Sequence, residues 1–153
     1  MKDNHKPSSF VLNEKWTLSK ALTSTLEDMS FKALTPIQEK SLPIILEGQD
    51  LIAKAKTGSG KTFAFGLGVL SFVDVSLFQA QSLILCPTRE LCKQIATDIE
   101  DYSKYCPIKV VAVYGGEDIK RQITKIQKGY DIIVGTPGRL MDLIKRKRII
   151  PKN

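Results

Sequence analysis

One rhythm restricts the fold of this chain more than any other feature: a short β-branched apolar run, a loop, then an amphipathic stretch of helical length. Leu51-Ile52-Ala53 opens the series, followed by a glycine-rich loop and a predicted helix from about Lys61 to Phe72. Leu83-Ile84-Leu85-Cys86 leads into a helical stretch from Thr88 to about Tyr102. Lys109 to Tyr114, closed by Gly115-Gly116, leads into Glu117 to Lys128, and Ile132-Ile133-Val134 leads into Pro137 to about Arg146. Strands that are apolar throughout and alternate with helices form βαβ units, because only a sheet covered on both faces buries such runs. The expected fold is therefore α/β, a parallel sheet with helices on both faces. Upstream, Leu18 to Met29 and Pro36 to Leu46 read as helices, the second started by Thr35 as cap and Pro36 at the first helical position. No internal repeat or low-complexity linker interrupts the series.

The loop between the first run and its helix carries the most specific chemistry. Ala55-Lys56-Thr57-Gly58-Ser59-Gly60-Lys61-Thr62 lies after a predicted strand and opens a predicted helix, the context that a phosphate-binding loop requires. Gly58 and Gly60 allow a tight turn in which successive N–H groups converge on one anion, and the helix N-terminus adds its positive field. Lys61 supplies a point charge for the β and γ phosphates, and the Thr62 hydroxyl a ligand for Mg²⁺. Lys56, Thr57 and Ser59 complete the cradle. The bland alternative, a glycine turn that merely caps a helix, is outweighed by the predicted strand before the loop and the helix after it. The strict pattern opens with glycine, where Ala55 stands here.

Composition excludes several classes. At 153 residues the chain amounts to about one domain, with 42% hydrophobic and 25% charged residues, as in ordinary globular proteins. No apolar stretch approaches the roughly 20 residues of a membrane helix, so no membrane association is expected. Met1 to Ser9 is a polar tail without the apolar centre of a secretory signal. Cys86, Cys92 and Cys106 are an odd set without metal-ligand spacing, and Cys86 at the end of an apolar run reads as a small buried hydrophobe. A reduced, cytoplasmic protein is expected. The net charge of +7 suits a polyanionic partner without specifying one. The run Lys145-Arg146-Lys147-Arg148 reads first as a solvated helix end that complements the macrodipole.

From about Phe10 to its end the sequence resembles the DEAD-box ATP-dependent RNA helicases. Ser30-Phe31-Lys32-Ala33-Leu34-Thr35-Pro36-Ile37-Gln38 is similar to that family's adenine-recognising Q motif, and Ala55 to Thr62 to its motif I, where an opening alanine is usual. Pro87-Thr88-Arg89-Glu90-Leu91 resembles motif Ia, Gly115-Gly116 the double glycine, and Thr136-Pro137-Gly138-Arg139 motif Ib. Each string is weak by itself; their order, in register with the loop, is specific. Ser30 and Leu34 depart from the family's usual glycine and proline, which bears on loop stiffness. Phe10 and Trp16 lie off the spacing of the family's upstream aromatic and receive no role. Ala53 to Leu91 further resembles the DbpA-like bacterial subgroup, whose members act on ribosomal RNA.

The resemblance implies a RecA-like P-loop domain, with residues 1–9 a disordered-looking tail and residues 10–153 the N-terminal portion of helicase domain 1, incomplete on the C-terminal side. It implies that Gln38 pairs with adenine through its amide and that Phe31 packs on the base. Thr35-x-x-Gln38 is equally a capping box, a competing role. Pro87, Thr88, Arg89, Gly115, Gly116, Thr136, Pro137, Gly138 and Arg139 correspond to residues that hold the RNA sugar-phosphate backbone, contacts that position a strand without reading its bases. Thr88 and Thr136 also sit where a helix N-cap belongs, and Arg139 could instead serve a structural ion pair. Glu90 is expected to orient a neighbouring cation. ATP, Mg²⁺, RNA and a second RecA-like domain are the implied cofactors and partners. No Asp-Glu-Ala-Asp string occurs, so no catalytic residue is assigned and no turnover is expected of these 153 residues alone. In the family's sheet the strand bearing that string and the next lie between the strand at Leu51 and the strand at Leu83, so the run at Leu51 is expected to lack its neighbour. Two other readings compete: a nucleotide-regulated RNA-binding module without turnover, and a truncation without function.

Overall fold

Three of the four apolar runs pair into a parallel sheet. The computed structural model describes residues 18–29, 33–77 and 79–150. Among them the helices are α1 (Lys20–Asp28), α2 (Pro36–Leu46), α3 (Lys61–Phe72), α4 (Arg89–Tyr102), α5 (Ile119–Gln127) and α6 (Pro137–Lys145). The strands are β1 (Ser82–Leu85), β2 (Val110–Val113) and β3 (Ile132–Gly135), in the order β1-β3-β2. The chain divides into two compact units: the described residues through Ser71 with Tyr102–Cys106, and Phe72–Asp101 with the described residues from Pro107. The tail of residues 1–9, together with Phe10, Trp16, Ser30 and Phe31, lies outside the described residues.

In the first unit, packing rather than a sheet organises the chain. Leu22 and Leu26 of α1, Leu42 of α2, and Phe63, Ala64, Leu67 and Leu70 of α3 are all buried. The Phe63 and Tyr102 rings meet edge to face at 5.3 Å. Close approach of α2 and α3 depends on Gly68, where a Cβ would stand 2.2 Å from Ile45 Cγ2. Thr35 starts α2 and Pro36 occupies its first turn, as the sequence signals predict. Leu51-Ile52-Ala53, in contrast, is no strand. Residues 51–56 form no regular structure, and Ile52 is 101% exposed. A strand exists only through a neighbour's ladder, and three apolar residues provide no pairing of their own. Among the described residues no strand pairs with this run, which corrects the expected fourth strand.

The second unit holds the sheet. β3 is its centre, and all four of its residues are buried, as the unbroken run Ile132-Ile133-Val134 requires. Ile132 aligns with Ser82 on one side and Val110 on the other, and Gly135 with Leu85 and Val113. Asp131 sets this register. Its carboxylate accepts the Lys109 N–H at 2.8 Å, and its carbonyl accepts the N–H groups of Gln81 and Ser82 at 2.8 and 3.2 Å. Val111, Val113 and Ile133 pack with Ile126 of α5 and Leu140 and Leu143 of α6 in one cluster. Ile132 and Val134 point to the opposite side and are also fully buried. From α4, the Cys92 thiol donates to the Val134 carbonyl at 3.2 Å. Burial pushes that thiol up to about 11, and the buried Cys86 is the small hydrophobe expected of it.

Candidate functional site

The glycine-rich loop and the start of α2 are bonded to each other within the first unit. Gln38 is 3% exposed. Its Oε1 accepts the Thr35 N–H at 2.9 Å, which is the Gln38 half of the capping box, and its Nε2 donates to the Gly60 carbonyl at 3.1 Å. The Thr35 hydroxyl donates to the Ser59 carbonyl at 2.7 Å. Sequence reasoning placed Thr35 only as a cap; no local signal announces a bond across 24 residues. Gly58 and Gly60 have φ of 77° and 89°, the left-handed region that glycine alone adopts freely. At Gly60 a Cβ would also fall 2.2 Å from Gln38 Nε2.

Lys61 opens α3 and turns its ammonium back into the loop, donating to the carbonyls of Ala55 at 2.6 Å and Lys56 at 2.7 Å. The Ser59 hydroxyl is buried without a hydrogen-bond partner. An orphaned hydroxyl, a cation held by its own loop, and a glycine where a Cβ would collide are what a phosphate cradle needs. Thr62 follows on the first turn of α3, half-buried. The orphaned hydroxyl and the loop-held ammonium fit a phosphate chain. Of the two residues expected at adenine, Gln38 is placed against the loop; Phe31 lies outside the described residues.

The expected backbone-gripping residues gather in the second unit at the C-terminal ends of its strands. After β1, the Thr88 hydroxyl accepts the Leu91 N–H at 3.3 Å and so caps α4. After β3, Thr136 stands at the N-cap of α6 but makes no such side-chain bond. Capping is thus seen for Thr88 and not for Thr136, and a capping bond leaves room for an anion at the same helix terminus. After β2, Gly116 has φ of 81°, and a Cβ there would lie 2.7 Å from Arg89 Nη1. Glu90 pairs with Arg89 at 3.4 Å, as expected of an orienting carboxylate, although both side chains are about half or more exposed and the pair contributes little.

Arg139 forms no structural ion pair with Glu117; it bonds neutral oxygens instead. Its Nη1 donates to the Glu117 carbonyl at 3.1 Å and to Gln122 Oε1 at 3.0 Å. Gln122 in turn donates through Nε2 to the Tyr114 carbonyl and the Glu117 carboxylate, both at 2.9 Å. That hydrogen bond from Gln122 holds the Glu117 carboxyl below its usual range, with Tyr114 and Lys125 adding to the effect. Burial raises the Tyr114 phenol. Gln122, Glu117 and Tyr114 were missed in the sequence. The available signal was a glutamine on the apolar stripe Ile119, Gln122, Ile123, Ile126.

Comparison with known proteins decides the family. Residues 35–152 match the family model described as DEAD/DEAH box helicase. The chain belongs to the DEAD/DEAH box helicase family. It is 44% identical over 144 residues to the ATP-dependent RNA helicase CshA of Listeria monocytogenes, covering 94% of this chain and 26% of that one. It is 43% identical to the RNA helicase CrhR of Synechocystis, over 86% of this chain and 27% of that one. Among solved structures, a DEAD box protein from Methanococcus jannaschii superposes with a TM-score of 0.81 at 35% identity, over 89% of this chain and 37% of the other. Dbp5 of S. cerevisiae bound to RNA and ADP BeF3 gives 0.78 at 31% identity, over 88% and 34%. The chain thus spans about a quarter of the length of these curated relatives, and its fold is that of the family's RecA-like domain. Among the described residues no helix is long and apolar enough to cross a membrane, and no group of three His, Cys, Asp or Glu side chains gathers to hold a metal.

Proposed function

We propose that this chain is the ATP-binding and RNA-backbone-binding part of an ATP-dependent RNA helicase. The observation that carries the reading is the bond from Gln38 Nε2 to the Gly60 carbonyl, which joins a side-chain amide of adenine-reading type to a phosphate loop. Lys61, whose ammonium is held by two loop carbonyls, would supply its charge to the β and γ phosphates of a bound nucleotide. Ser59 gains the partner its buried hydroxyl lacks. Lys56, Thr57, Gly58 and Gly60 contribute backbone N–H groups, and the Thr62 hydroxyl holds Mg²⁺, which when bound offsets the phosphate charge. Gln38 pairs with the adenine edge, and Phe31 packs on the ring. To do so Gln38 releases Thr35 N–H, Gly60 or both, which links base recognition to the loop.

Pro87, Thr88, Arg89, Gly115, Gly116, Thr136, Pro137, Gly138 and Arg139 hold a single RNA strand by its backbone. The Thr136 hydroxyl, not engaged in capping α6, supports that role, as do two arginines beside the glycine turn. Such a surface binds RNA without sequence preference. A second RecA-like domain completes the cleft and supplies the charges for hydrolysis; the 153 residues contain no Asp-Glu-Ala-Asp string, so alone they bind nucleotide without turning it over. The likeness of Ala53 to Leu91 to the DbpA-like subgroup favours ribosomal RNA as substrate, in a cytoplasmic setting. Titrating the chain with ATP, ADP and GTP in Mg²⁺ tests the reading. Adenine nucleotides should bind preferentially, and equal affinity for ATP and GTP would sink the adenine assignment.

A further inference from the structure

Gln122 is fully buried on the apolar stripe of α5, where an aliphatic residue would fill the space without a polar group to satisfy. Its amide uses both ends. Nε2 bonds the carbonyl of Tyr114, immediately before Gly115, and the carboxylate of Glu117, immediately after Gly116. Oε1 takes the hydrogen bond from Arg139 on α6, 17 residues away. Arg139 closes the triangle on the Glu117 carbonyl. One side chain therefore bonds both flanks of the glycine turn and one nitrogen of a guanidinium. Arg89 runs beside the turn, its Nη1 2.7 Å from where a Cβ of Gly116 would stand. Lys93 stands over the Tyr114 ring at 5.1 Å, and Lys125 reaches the Glu117 carboxylate at 3.6 Å, so the flanks are held from α4 and α5 too.

We propose that Gln122 is a positioning residue: it locks the Gly115-Gly116 turn and the Arg139 guanidinium into the single arrangement that grips an RNA backbone. Two phosphate-facing groups on separate elements act together only if their spacing is fixed before the strand arrives, since ordering them on binding would cost affinity. The proposal rests on the RNA reading above. It predicts coupling. Loss of the Gln122 amide should matter because Arg139 and the turn then move, not because the core is less stable.

The test measures binding of a labelled oligouridylate to the whole chain by fluorescence anisotropy, with ATP affinity and circular dichroism in parallel. Gln122→Met, which fills the space without bonding, should weaken RNA binding about tenfold, as for loss of a bond to a charged group, and leave ATP affinity within about twofold. In an Arg139→Ala background the same substitution should cost less than about twofold, the signature of a shared role. Gln122→Glu keeps the acceptor for Arg139 but loses the donor for Tyr114 and Glu117; it should lie between, and it carries the cycle if the methionine variant does not fold. Equal RNA binding by a folded variant, or the same cost with and without Arg139, overturns the positioning role and leaves the RNA reading standing. If the unsubstituted chain binds no oligouridylate, the RNA reading falls and this proposal with it.

Discussion

Gln38 Nε2 lies 3.1 Å from the Gly60 carbonyl, and Gly60 holds a φ of 89° in which any Cβ would strike that same amide. Glycine at this position therefore lets the start of α2 and the loop meet without backbone strain and without displacing the Gln38 amide. Gly60→Ala should lower stability by about 1–2 kcal/mol from the left-handed backbone alone, and more from the collision. Gln38→Ala should relieve nothing in the backbone. It should instead erase the preference for ATP over GTP, a loss of about 1–2 kcal/mol confined to adenine nucleotides. Thermal melts of both variants, with calorimetric titration of ATP and GTP, separate the two effects.

Lys61 donates to two carbonyls of its own loop, Ala55 and Lys56. On the proposed phosphate-binding role, Lys61→Ala should weaken every triphosphate alike by about 1.5–3 kcal/mol, roughly tenfold to 100-fold in Kd. A base-dependent loss in the same titration would place Lys61 away from the phosphates.

Acid should loosen the glycine turn from one side. The Gln122 hydrogen bond lowers the folded-state pKa of Glu117 below its ordinary value of 4.5, so the stability it contributes is present above that value. It is lost as pH falls below 4.5 through the folded value. Asp98 works in the opposite sense, because burial and then Asp101 raise its carboxyl, and its ionised form costs stability that acid relieves. A global melt mixes the two. Amide exchange at Gly115 and Gly116, corrected for intrinsic rates, isolates the first: protection should fall as pH drops below 4.5, and Glu117→Gln should abolish that dependence. Protection unchanged by pH would contradict the role given to Glu117.

The sheet ends at β1, where Leu83 and Leu85 are 52% and 57% exposed and only β3 pairs with the strand among the described residues. Beside Leu83 runs an apolar trough of about 420 Å³, lined by Tyr130, Ile133, Leu140, Ile144 and Ile149 among others. An uncharged edge with exposed leucines templates further pairing. The isolated chain should therefore associate in a concentration-dependent way, and Leu85→Lys should weaken association about tenfold or more, since burying a leucine is worth about 1.5–3 kcal/mol. Light scattering across a dilution series reads this directly. A monodisperse monomer with a sharp cooperative melt would refute it, and measurable ATP hydrolysis would refute the absence of turnover.

The sequence by itself determined the helices, three strands and the order of the motifs. Caps, apolar periodicity and glycine turns are local signals: Thr35 and Pro36 start α2, and the stripe Cys92, Ile95, Ala96, Ile99 buries α4 wherever it packs. The family was legible for the same reason, in short strings kept in order. Tertiary structure decided the rest. Leu51-Ile52-Ala53 has the composition of a strand, yet no strand forms, because a ladder needs a neighbour that three residues do not encode. Thr88 and Thr136 look alike in sequence, but only Thr88 caps its helix. Gln122 interrupts an apolar stripe with an amide, and only the fold brings Tyr114, Glu117 and Arg139 around it. A buried amide must find partners, and which partners it finds is fixed by chain segments far apart in sequence.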